Sequence, residues 1–256
     1  MVACMKILRS IRVALLVAVL SAGSLALVCC NGYPEVGGGS QGDRGAYLSE
    51  PARSFGRVAA TPPIPSRWSD LGINRSLMIP AGKHARKRMT PMRPTYITIH
   101  STYNRGRGAN AKAHASGLHR GNHKSRHNSL GYLAWHFTID DGAIYQSLPC
   151  NETGEHADYN GPGNRSSIGI EMCENSDGSW SRTMDRTARF TAVLMKEYKI
   201  PLSKVVPHQH WRMIRHSDGK DLGHKNCPHL LMDGGKPGAK WDAFKAKIDR
   251  YRRQLG

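Results

Sequence analysis

Three residues of this chain carry donors suited to a divalent metal, and they lie far apart in sequence: His100, His208 and Cys227. His100 closes the alternating run Tyr96-Ile97-Thr98-Ile99 and precedes a polar, glycine-containing loop, so a rigid element stands behind it and solvent in front. His208 follows Val205-Val206-Pro207 in a similar way, and Cys227 sits in Lys225-Asn226-Cys227-Pro228, where the proline restricts the cysteine backbone. Two imidazoles and one thiolate make a catalytic zinc set, with the fourth place left to water. Thirteen histidines allow many other triplets. Of the rivals His210, His216 and His224, the first is the most serious, because a two-residue shift from His208 keeps the same strand face. The chain has no paired Cys-x-x-Cys and no His-Glu-x-x-His, so neither a zinc finger nor that class of metalloprotease is supported.

The elements that must position these donors follow from the spacing of apolar residues. Residues 96–100 alternate and are rich in β-formers. Residues 109–118 have helical composition, 132–139 form a second strand, and Asp140-Asp141-Gly142 turns the chain into a further strand at 143–148. Residues 167–173 make a third major strand, with Gly169, Glu171 and Cys173 on one face and Ile168, Ile170 and Met172 on the other. Thr183 is placed to cap a helix reaching Tyr198. Residues 204–207 approach a short strand, and Trp241, Phe244, Ile248, Tyr251 and Leu255 recur at helical spacing. The fold expected is α/β: a single domain over residues 95–256, its central mixed sheet largely antiparallel in character and flanked by helices.

The segments Thr98-Ile99-His100-Ser101-Thr102, Trp135-His136-Phe137, Ser167-Ile168-Gly169-Ile170-Glu171 and His208 with Lys225-Asn226-Cys227-Pro228 resemble the N-acetylmuramoyl-L-alanine amidases of the phage-lysozyme and peptidoglycan-recognition type. The resemblance covers about residues 95–232, with the motifs in order. It implies a Zn2+ hydrolase that cuts the amide between the lactyl group of muramic acid and the first L-alanine of peptidoglycan. It also implies His100, His208 and Cys227 as ligands, Glu171 as the base that takes a proton from water, and Lys225 as the charge that stabilises an oxyanion. His156 corresponds to a groove-lining histidine of the relatives and is expected, with Trp135, to contact substrate. Some relatives have a tyrosine where Trp135 stands, so any mechanism needing that hydroxyl is excluded. His136, flanked by Trp135 and Phe137, reads as an interior hydrogen-bonding residue. The segment between His208 and Cys227 is longer than in the nearest relatives.

Bulk properties constrain the rest. The chain has 256 residues, 39% of them hydrophobic, enough for one good core. Its formal charge of +18 attracts polyanions without choosing among nucleic acid, acidic lipid and anionic wall polymer. Lys6, Arg9 and Arg12 precede an apolar run at residues 13–28, the pattern of an export signal. Lipidation at Cys29 or Cys30, soluble export and an uncleaved membrane anchor all remain open. Export and the lack of a nucleic-acid motif argue against a nucleic-acid partner. Residues 31–66 are rich in Gly, Pro and Ser and read as a flexible tether, and 67–94 as an extension packing on or leading into the domain. Cys150 and Cys173 are free to pair or not. A non-catalytic peptidoglycan-binding module is the alternative function; the retained Cys227 and Glu171 weigh against it.

Overall fold

The computed structural model describes residues 71–159 and 161–256; the export segment and tether expected over residues 1–66 lie outside the described residues. Six strands form the main sheet: β1 (Ile73–Asn74), β2 (Tyr96–Ser101), β3 (Phe137–Ile139), β4 (Ile144–Gln146), β5 (Ser167–Met172) and β6 (Val205–Pro207). Their spatial order is β1-β4-β3-β5-β2-β6. The sheet is mixed, as expected, but the expected antiparallel character is confined to the β3–β4 hairpin. The pairs β1–β4, β3–β5, β2–β5 and β2–β6 are parallel. The reason lies in the connections. Helix α1 (Ala111–His119) lies between β2 and β3, and helix α3 (Trp180–Tyr198) between β5 and β6. Each returns the chain to the end of the sheet from which it started, so the strands it joins run the same way. Alternation in the sequence reports faces, not directions.

Those faces divide the molecule. Ile97 and Ile99 of β2, with Ile168, Ile170 and Met172 of β5, enter the main core beside Phe190 and Leu194 of α3. Trp241, Phe244 and Ile248 of α4 (Ala239–Gln254) close that core. Burying side chains of this size stabilises by about 1.5–3 kcal/mol each. Phe137 meets Phe190 edge-on at 4.7 Å between ring centroids. The intervening residues, Thr98, His100, Gly169 and Glu171, occupy the opposite face by the two-residue period of a strand. That side is also where Cys173 joins Ala111 and Ala115 of α1.

Local signals set the helix ends. The Asn110 side chain accepts from Ala113 N at the start of α1, and Asp140 Oδ2 accepts from Ala111 N. α3 begins before the expected Thr183: Ser179 Oγ accepts from Arg182 N, while Asp141 holds the Ser179 amide. Thr183 is buried inside the helix. A short helix α2 (Pro162–Ser166) leads straight into β5. The segment before β2 is integral: β1 is an edge strand, Leu71 and Met92 join the main core, and Ile79 packs in a second cluster. The long stretch between His208 and Cys227 folds as a separate hairpin of β7 (Arg212–Ile214) and β8 (Asp221–His224). Cys150 and Cys173 are both free and belong to different clusters, so they do not pair. Among the described residues no helix is long and apolar enough to cross a membrane.

Candidate metal centre

His100 sits near the end of β2, directly opposite Glu171 on the neighbouring strand β5. His208 follows β6, the other neighbour of β2. The sheet therefore delivers three polar side chains to one end from three adjacent strands. Cys227 arrives from beyond the β7–β8 hairpin. Together His100, His208 and Cys227 form the one group of candidate metal donors among the described residues, their ligand atoms within 4.8 Å of one another and all three side chains buried.

Proton positions follow from the outer partners of each ring. His208 Nε2 lies 2.7 Å from the Ala157 carbonyl oxygen, which can only accept, so Nε2 carries the proton. His156 Nε2 lies 3.3 Å from the Ser167 carbonyl, which makes His156 Nδ1 an acceptor. That Nδ1 is 3.0 Å from His100 Nε2, which therefore donates. Both His100 and His208 are then left with an unprotonated Nδ1, and these atoms face each other at 2.9 Å. Burial, the largest cause, holds both imidazoles well below the usual histidine range; the positive charge of Lys225 acts in the same direction on each. Two acceptors at hydrogen-bond distance with no proton between them call for a cation. Cys227 Sγ lies 4.0 Å from His100 Nδ1, accepts from the Ser101 amide at 3.4 Å and lies 3.9 Å from the Ser101 carbonyl oxygen. The donor set thus fits a metal on its chemistry, and backbone or imidazole acceptors fix both rings from behind.

Glu171 Oε1 is 4.0 Å from His100 Nδ1. Its other oxygen, Oε2, is buried without a hydrogen-bond partner among the described residues. Burial pushes this carboxyl up to about 8, with Lys225 pulling it down and Glu174 pushing it further up. Lys225 stands within electrostatic reach of all three groups.

The two expected substrate contacts, Trp135 and His156, are both buried. Trp135 is 5% exposed, packs with Ile79, Leu118 and Leu148, and donates from Nε1 to Thr138 Oγ1 at 2.7 Å. It is an interior residue because the arm carrying Ile79 covers it, an arrangement that the alternation around His136 does not reveal. His156 is buried, as Glu171 is, and lies beside His100 in a space that Gly169 provides: a Cβ there would meet its ring at 2.8 Å. His136 is a satisfied interior residue, accepting from Gly169 N and bonding through Nε2 to the Glu152 carbonyl. The rival His210 is exposed and tilts against Tyr96 and Trp211; His216 and His224 are exposed as well. Sequence reasoning missed Tyr103, Glu174 and His229 around the centre. His229 Nδ1 is 3.3 Å from a Glu174 carboxylate oxygen and 3.4 Å from Ser101 Oγ.

A parallel-centred sheet presents a buried two-histidine, one-thiol donor set that could hold a metal ion, beside a carboxyl group at one strand end. A family model described as N-acetylmuramoyl-L-alanine amidase matches residues 90–230, more than half of the chain, and the chain belongs to that family. The amidase XlyA of Bacillus subtilis (strain 168) is 43% identical over 171 residues, which is 66% of this chain and 49% of that protein. The amidase CwlH of the same organism is 42% identical over 155 residues, 60% of this chain and 52% of that protein. The chain thus spans about half the length of the curated relatives it matches. Among solved structures, a mutant endolysin from Bacillus subtilis superposes with a TM-score of 0.57 at 42% identity, covering 70% of this chain and 99% of that one. The catalytic domain of XlyA gives 0.56 at 42% identity, with 69% and 99% covered.

Proposed function

We propose that this chain is a zinc-dependent N-acetylmuramoyl-L-alanine amidase that hydrolyses the amide between the lactyl group of muramic acid and the first L-alanine of peptidoglycan. The observation that carries the reading is the pair of unprotonated Nδ1 atoms facing each other at 2.9 Å, with Cys227 and Glu171 alongside. The names of the relatives, including the structurally matched catalytic domain, supply the substrate class.

His100, His208 and Cys227 would hold the zinc. When bound, zinc supplies a Lewis acid that polarises the scissile carbonyl and lowers the pKa of water. The protein's own groups handle the protons. The free oxygen of Glu171 takes a proton from the attacking water as its oxygen bonds to the carbonyl carbon. The same carboxyl then hands that proton to the leaving nitrogen as the C–N bond breaks, which yields the lactyl carboxylic acid and the peptide amine. The acid's remaining proton passes to the amine to give carboxylate and ammonium. Lys225 offers its ammonium to the negative oxygen formed between those steps. His156 keeps His100 in the tautomer that presents Nδ1.

The recognition-module alternative would need no base, yet here a carboxylate with an unpartnered oxygen faces the donor set. The charge of +18 suits an anionic envelope polymer as surroundings, and no nucleic-acid partner is proposed. The apolar run at residues 13–28 supports export to the cell envelope or beyond, and residues 31–66 are read as a tether. Deleting 31–66 is expected to leave cleavage of soluble wall fragments intact; loss of folding would refute the tether. Digestion of purified sacculi followed by mass analysis tests the activity. Free stem peptides and intact glycan strands are expected, whereas reducing-end sugars or cut crosslinks alone would overturn the reading.

A further inference from the structure

We propose that Tyr103 is the platform on which the sugar ring adjoining the scissile amide lies, an inference that rests on the amidase reading above. Tyr103 stands three residues after His100 and is one of two large hydrophobic side chains that are exposed among the described residues, 40% in each case. Its exposure is not that of a loose surface ring. The ring stacks on His229 with centroids 3.9 Å apart and planes 26° from parallel. Its hydroxyl donates to the Asn226 carbonyl, immediately before Cys227. The backbone adopts φ +52, a left-handed conformation uncommon for a tyrosine and one that the surrounding structure must hold in place.

A rigid, half-open aromatic ring is therefore tied to the segments that carry both His100 and Cys227. Lys225 Nζ stands over the ring, 5.9 Å from its centroid, so the ring neighbours the group assigned to the developing oxyanion. A sugar lying on the ring would pass beneath or displace that flexible side chain. The negative face of an aromatic ring attracts polarised C–H groups and offers a flat apolar area. Of the two sides of the scissile bond, the peptide begins with an alanine, whose single methyl is far smaller than that area. The other side carries a pyranose, whose C–H face matches it in size and polarity. The ring belongs to the glycan side.

The test uses the full zinc-loaded chain and two soluble substrates: an N-acetylmuramoyl dipeptide, and the same dipeptide carrying a lactyl group without the sugar. Wild type is expected to cleave both, preferring the first. Tyr103→Ala should lose about ten-fold in kcat/KM on the muramoyl substrate, mainly through KM, and clearly less on the sugar-free one. Tyr103→Phe, which keeps the ring and drops the hydroxyl, should retain the preference. If Tyr103→Ala does not fold, Tyr103→Leu carries the same comparison with apolar bulk in place of the ring. Equal losses on both substrates, or Tyr103→Phe falling as far as Tyr103→Ala, would overturn the platform while the amidase stands. A zinc-loaded wild type that cleaves neither substrate would overturn the amidase reading, and the platform with it.

Discussion

Nδ1 of His100 stands 2.9 Å from Nδ1 of His208, and the partners behind each ring leave neither atom a proton to share. Two lone pairs held this way repel each other unless a positive charge lies between them. The fold keeps them there through a chain of bonds running from the Ser167 carbonyl through His156 to His100, and through the Ala157 carbonyl to His208. The arrangement is the acceptor pair that the proposed zinc would occupy.

That chain makes His156 a positioning residue. Replacing it with phenylalanine fills the volume and removes the acceptor for His100 Nε2. Zinc affinity should fall about 10- to 100-fold, the usual effect of losing a partner of a ligating histidine. Competition against a chromophoric chelator reads this directly, and unchanged affinity would remove His156 from the role.

Glu171→Gln keeps the shape of the side chain and removes its proton acceptor. Turnover should drop by about 100- to 10,000-fold, with zinc content and melting temperature close to wild type. A structural carboxylate would show the other pattern, in which activity falls only with the fraction unfolded. Near-wild-type turnover in a folded variant would return the proton transfer to another group of the site.

The faces of the strands were legible in the sequence, and their directions were not. Alternation in Ser167-Ile168-Gly169-Ile170-Glu171-Met172 separates a core face from a site face, and the structure keeps that division. Parallel pairing of β5 with β2 and β3 depends on where α1 and α3 return the chain, which no local pattern encodes. Strand ends and a Cys-Pro step make His100, His208 and Cys227 candidates among thirteen histidines, the family resemblance singles them out, and the structure brings the three together. The burial of Trp135 is not legible in the sequence because it packs with Ile79, which is distant along the chain. Tyr103 was missed since only the fold shows that His229 and Asn226 pin it beside the centre.

Outside the centre, His114 and His123 stack at 6.1 Å, and burial lowers each imidazole to about 4, His114 adding to the effect on His123. Their folded-state values lie below the ordinary value near 6.5, so the unfolded chain binds more protons between about pH 4 and 6.5. Their contribution to stability is fully present above that window and is lost as pH falls through it. Denaturant midpoints of metal-stripped wild type and His114→Leu, measured at pH 7.5, 6 and 5, should converge as the pH drops, because the variant has lost one of the two titrating groups. Parallel curves would show that His114 does not titrate as described. The slope carries the test, since the substitution also removes a hydrogen bond to the Ala109 carbonyl.

The central claim is that His100, His208 and Cys227 hold one zinc. X-ray absorption at the zinc edge, combined with elemental analysis of wild type and Cys227→Ala, tests it most directly. Expected in wild type are about one zinc per chain and a first shell containing one sulfur near 2.3 Å with nitrogen or oxygen near 2.0–2.1 Å. Cys227→Ala should lose the sulfur scatterer and most of the metal. Full zinc retention in that variant with an unchanged spectrum would contradict the assignment.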